Sequence, residues 1–135
     1  MKKVFCLFCA FVLCLAAFGA YAESVQPFYL EVQRISVALI ISSDGTATCS
    51  GAVTAQHNET TTSMTITLKR SSDGKKWSRV TSWNVSGSGL LGATADETYT
   101  VSKGYQYKVT VSGKIYDKSG TLLESVSKTS SAKSY

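Results

Sequence analysis

The stretch MTITLKRSSDGKKWSRVTSWNV, residues 64–85, decides the fold class. Met64, Ile66 and Leu68 alternate with Thr65, Thr67 and Lys69, the period of two that turns one face of a strand to a core and the other to water. Asp73-Gly74 then reverses the chain, because glycine takes the left-handed backbone that tight hairpins require. The returning segment carries Trp77 and Trp83, and the hairpin register decides which way the rings point. A loop of two or four residues aligns both with Met64, Ile66 and Leu68 and turns Arg79 inward. A three-residue loop pairs Val80 with Ile66 and leaves both rings outside. A bulge between Trp77 and Val80 lets both of those residues point inward. A sandwich without disulfides needs the large area that tryptophan buries. The expectation is therefore Trp77 in or against the core and Trp83 partly exposed, with a ligand platform built from both rings as the alternative.

Outward from this hairpin the same alternation recurs. RISVALIIS, residues 34–42, places Ile35, Val37, Leu39 and Ile41 on one side. Ser43-Asp44-Gly45 turns the chain into TATCSGAVTA, residues 46–55, whose inward set is small: Ala47, Cys49, Gly51, Val53 and Ala55. Small inward residues let a facing sheet approach closely. Residues 86–96 read as a long Gly-rich loop, and three more strands follow, the last two joined at residues 117–120. Residues 23–33 read as a lead-in, residues 34–128 as one domain, and residues 129–135 as a frayed polar tail. Seven short strands without a trusted helical stretch predict an all-β antiparallel sandwich.

The chain opens with Lys2 and Lys3, an apolar run from Val4 to Phe18, and an Ala20-Tyr21-Ala22 exit. That is the pattern of a secretory signal peptide over residues 1–22; the run is shorter than the ~20 residues that span a bilayer. The expected mature protein is secreted and has no membrane anchor after cleavage. Cys6, Cys9 and Cys14 leave with the leader, so Cys49 has no intrachain disulfide partner. Of the 14 Lys and Arg, Lys2 and Lys3 leave too, and the remainder are interspersed along the chain with 9 Asp and Glu. Interspersed signs read as a solvated surface, without a nucleic-acid or membrane patch.

VSKGYQYKVTV, residues 101–111, resembles the corner between two strands in fibronectin type III and immunoglobulin-like domains. The resemblance implies a sandwich of that type and makes Tyr107 the tyrosine-corner residue, its ring in the core and its hydroxyl bonded back to the backbone. Lys103 stands where the family has proline. The same alignment sets Val109 and Cys49 where immunoglobulin domains pair two cysteines, so Cys49 is expected as a small buried hydrophobe, against a free thiol for covalent dimerisation. The chain also resembles small secreted proteins of Gram-positive bacteria without an assigned function. SSDGKKW, residues 71–77, is similar to the Asp-box turn of sialidase-type propellers, which gives Asp73 and Gly74 a structural role.

Catalytic chemistry finds little to work with. His57, the one histidine, lies in a polar loop, and no G-x-S-x-G elbow is present. Asp73, Asp96, Glu97 and Asp117 read as solvated turn charges and not as a glycosidase pair. One His and one remaining Cys do not make a zinc cluster, and the adjacent Asp96 and Glu97 are weak grounds for calcium. No cofactor is implied. The expected function is a non-enzymatic extracellular interaction or structural module whose partner is a protein or a glycan. The alternative is a carbohydrate-binding module that stacks sugars on Trp77 and Trp83. Partner identity and oligomeric state are not written in these residues.

Overall fold

The alternating segments all become strands in the computed structural model, which describes residues 29–135. The expected leader and the first part of the lead-in lie outside the described residues. The strands are β1 (Val32–Ile41), β2 (Thr46–Ala55), β3 (Thr61–Ser71), β4 (Ser78–Ser88), β5 (Ala93–Thr100), β6 (Gln106–Tyr116), β7 (Leu122–Thr129) and β8 (Lys133–Ser134). Every pairing is antiparallel. One sheet has the order β1-β2-β5 and the other β4-β3-β6-β7, with β8 also paired to β6. The two sheets face each other as a β-sandwich.

The core is the sum of the inward parities. Ala47, Cys49, Val53 and Ala55 of β2 meet Met64, Ile66 and Leu68 of β3 and Tyr107, Val109, Val111 and Ile115 of β6, all buried. Glycine sets the distance between the layers. A Cβ on Gly51 would stand 2.7 Å from Val111 Cγ2, and one on Gly113 would stand 2.7 Å from Val53 Cγ2. The missing methyls admit the facing valines, the close approach that small inward residues predict.

Two segments differ from the sequence reading. The Gly-rich stretch is not a long loop: β4 runs to Ser88 and β5 begins at Ala93. Its glycines let the chain cross tightly between the sheets. A Cβ on Gly87 would lie 1.7 Å from Gly92 O, and Gly92 itself has φ +58°. Nor do residues 129–135 fray. Tyr105 O accepts the Tyr135 N–H at 3.1 Å, Tyr135 O accepts the Gly104 N–H at 2.7 Å, and the Tyr135 hydroxyl donates to Ser43 O at 3.2 Å. Its ring packs against the core. A polar composition hid a strand whose strength lies in main-chain bonds.

Strand direction sorts the connections into two groups. Residues 29–31 and loops 56–60, 89–92 and 117–121 meet at one end, tied by Gln56 N–H to Glu31 O and by Gly89 N–H to Thr60 O. Loops 42–45, 72–77 and 101–105 meet residues 130–135 at the other, tied by Val101 N–H to Gly45 O. Near that second end the Tyr107 ring is buried, its hydroxyl donates to Ser102 O at 2.7 Å, and it accepts the Ser102 N–H at 3.0 Å. Tyr107→Phe removes both bonds and should destabilise by about 1–3 kcal/mol, whereas the half-buried Tyr105→Phe should change little. Urea denaturation of the two variants checks this, and the reverse order would refute the corner.

Cys49 sits fully buried opposite Leu39 and Glu97. Burial, and secondarily the Glu97 charge, push its thiol from an ordinary 9.0 up to about 11. The folded value lies above the unfolded one, so the thiol's contribution is whole below pH 9 and is lost as pH rises to 11. Across that window the protein should lose about 2 kcal/mol more stability than its Cys49→Ala variant. Denaturation curves for the two that stay parallel would mean a solvated thiol.

Candidate functional site

Asp73 builds the hairpin tip that positions Trp77. Its Oδ1 accepts the Ser71 hydroxyl at 2.9 Å and the N–H groups of Lys75 at 2.8 Å and Lys76 at 2.9 Å, while Ser71 Oγ accepts the Gly74 N–H at 2.8 Å. The Lys76, Lys75 and Ser71 bonds hold the Asp73 carboxyl below the usual carboxylate range. Gly74 takes φ +75°. The connection spans residues 72–77, longer than the two, three or four residues considered from sequence.

A bulge does fall where one was considered, between the Leu68–Thr81 and Lys69–Arg79 pairs. It works differently from the expectation. Trp83 lies opposite buried Ile66, on the inward face, and packs against the core with Val80. Trp77 is half-buried and lies beyond the bulge, beneath the Lys108 ammonium, which stands 4.1 Å from the ring centroid. Lys108 alternates with buried Tyr107 and Val109, so this contact is on the outer face of the five-stranded sheet. Trp77 departs from its expected place in or against the core and belongs to a surface, whereas Trp83 is partly exposed as expected while its ring packs against the core. The inserted residue between Leu68 and the hairpin tip flips the facing of everything beyond it.

Around Trp77 the outer face is cationic. Lys69 pairs directly with Arg79 on β4 and with Lys108 on β6, a row of three positive side chains across neighbouring strands. Like charges directly opposite each other weaken a sheet. At the same end, Arg70 and Lys133 lie on the other parity, beside Tyr107; Arg70 stacks on Tyr105 at 4.6 Å, Lys103 lies 5.7 Å from the centroid of Tyr135, and Lys75 and Lys76 sit in the hairpin loop. Among the described residues the acids there are Asp44 and Asp73, both with carboxylates accepting bonds within their own turns. Cations interspersed along the chain are gathered in space at this end, a grouping that their sequence spacing does not show.

The rows that follow are hydroxylated. Thr67 is flanked by Ser82 and Thr110, Thr65 by Asn84 and Ser112, and Ser63 by Ser86 and Lys114. Neighbouring groups bond sideways, as in Thr65 to Asn84 at 2.8 Å and Thr110 to Thr129 at 3.0 Å. A shallow hollow of about 450 Å³ lies over Ser63, Thr65, Ser112, Lys114, Tyr116, Ser125 and Ser127.

The opposite end has another chemistry. Leu30 is 69% and Leu91 83% exposed, with Leu90, Leu122 and Leu123 also exposed. The Lys118–Glu59 ion pair is there, and His57 Nε2 lies 3.7 Å from the Glu31 carboxylate. His57 and Ser119 line a common open hollow, but the Ser119 hydroxyl donates to Asp117 at 2.6 Å and meets Thr121 Oγ1 at 2.9 Å. Asp73 and Asp117 lie at opposite ends of the sandwich. Asp96 and Glu97 lie inside β5, not on a loop end, and face opposite sides of the sheet, so they cannot share one ion. No protein-family model matches the chain, and no curated protein matches it.

Two outcomes follow from this placement. Trp83→Ala should destabilise by about 2–4 kcal/mol, as loss of a ring against the core does, and Trp77→Ala should stay within about 1 kcal/mol of the parent; thermal or urea unfolding ranks them. Lys69→Glu turns two like-charge pairs into opposite-charge pairs and should stabilise by about 0.5–1.5 kcal/mol. A Lys69→Glu variant that unfolds at lower urea than the parent would show that the row is not repulsive.

Proposed function

We propose that this chain is an exported, non-enzymatic β-sandwich of the fibronectin type III/immunoglobulin-like kind, an extracellular interaction module that binds through the outer face of its five-stranded sheet. The strand order β1-β2-β5 facing β4-β3-β6-β7 and the Tyr107 bonds to Ser102 support that kind of sandwich. The leader pattern supports export. The observation that carries the binding face is the Arg79–Lys69–Lys108 row beside Trp77. It sets like charges side by side, with no acid among them, next to an aromatic ring on a surface away from the core.

A second reading, a carbohydrate-binding module, is favoured by Trp77 alone. Its ring is on the surface within a field of hydroxyls, whereas Trp83 is engaged by the core. The test is capture of partners from microbial and host surface extracts, with a glycan array beside it. Capture should be lost in a Trp77→Ala/Lys108→Ala double variant and kept in Leu91→Ser. Loss in Leu91→Ser with retention in the double variant would move the binding face to the leucine end.

A further inference from the structure

We infer that the ligand of the cationic face is an anionic polysaccharide, an extended sugar chain bearing carboxylate, sulfate or phosphate groups, lying across β4, β3 and β6 along the Arg79–Lys69–Lys108 row. This rests on the reading of that face as the binding face.

The row itself sets the charge of the ligand. Three cations on adjacent strands, spaced by roughly 4.8 Å per strand, have no acid interleaved among them in either register. A line of positive groups at that spacing is met by a polymer that repeats its negative charge, and not by one isolated anion. Both flanking pairs are relieved when such a chain lies between them. Each added charge contact then strengthens the next.

The surroundings choose among polyanions. Lipid surfaces hold a protein by charge together with inserted apolar side chains; the exposed leucines Leu30, Leu91 and Leu123 are at the opposite end, and the exposed Ile40 and Tyr99 at the basic end belong to the other sheet, away from the cationic row. Single-stranded nucleic acid is held by successive aromatic platforms along a basic groove. This face offers one tryptophan, since Trp83 packs on the core and Tyr105 lies under Arg70. A sugar chain asks for less: cations for its charged groups, one flat ring, and hydroxyl partners for its hydroxyls. Lys108 over Trp77 and the Thr67–Thr110–Thr129 row next to it supply these. When Lys108 turns to an anionic group, the Trp77 face that it covers is freed for the apolar side of a sugar.

The test uses the exported chain with dextran sulfate and polygalacturonate as probes, neutral dextran as control, and a single-stranded oligonucleotide as competitor class. Binding to both anionic sugars should fall steeply with added salt, should quench or shift tryptophan fluorescence, and should be absent with neutral dextran. Lys69→Glu/Lys108→Glu should weaken binding at least tenfold. Arg34→Glu/Lys118→Glu makes the same change in net charge on the other sheet and at the leucine end, and should leave binding within about twofold. Trp77→Ala should weaken binding to the sugars without weakening binding to linear polyphosphate. Equal losses in the two double variants would overturn the row, and tighter binding of the oligonucleotide than of either anionic sugar would overturn the ligand class. If surface extracts are still captured through Trp77 and Lys108 while no anionic sugar binds, the inference fails and the binding face stands. If neither is captured through them, both fail.

Discussion

The distance between the two sheets at Gly51 and Gly113 governs most of the packing. Val111 and Val53 occupy the space where Cβ atoms would be, so the layers interlock where β2 crosses β3 and β6. A close-packed interior tolerates neither a gap nor an overlap of one methyl without strain. That spacing is what allows a core of medium-sized aliphatics, with one buried tyrosine, to close without a disulfide among the described residues. It also fixes the β3–β6 pairing on which the outer face is displayed.

Much of this was legible. Alternation is a local property, and the segments around Ile35, Cys49, Ile66 and Val109 turned their apolar parity inward as written. The Asp-Gly turns were legible for the same reason, because Asp44 and Asp73 bond to N–H groups two or three residues away. What failed depended on partners distant in sequence. The glycines between Ser86 and Ala93 look like a flexible loop until Gly92 is seen against Val53 O. Residues 130–135 look like a tail until Tyr135 is seen bonded to Gly104 and Tyr105. In both places main-chain geometry set by partners far along the chain holds the segment, helped in the second by the Tyr135 ring against the core.

The site was less legible than the fold, and one residue accounts for much of the difference. The bulge at Arg79/Val80 shifts the facing of the chain by one position. Sequence allowed a bulge there but could not say which side of it each tryptophan would take, because alternation is interrupted at that point. The charge pattern was hidden by topology. Lys69, Arg79, Lys103 and Lys108 are spread over some forty positions and read as ordinary surface until antiparallel pairing brings Lys69 between Arg79 and Lys108.

Turn chemistry does not explain the asymmetry between the two ends. Aspartates that close hairpins occur at both, Asp44 and Asp73 at the basic end and Asp117 at the leucine end, each accepting main-chain N–H groups of its own turn. The difference lies in positions where the fold is indifferent. The outer face at residues 69, 79 and 108 would accept threonine, as residues 67 and 110 in the next row do. A β-sheet gains from threonine at a half-exposed site and loses from like charges across strands. Three cations at such sites therefore act against local stability, and their neighbour Trp77 adds surface that the core does not use. Features that weaken a fold where a neutral residue would serve are best accounted for by what the surface meets.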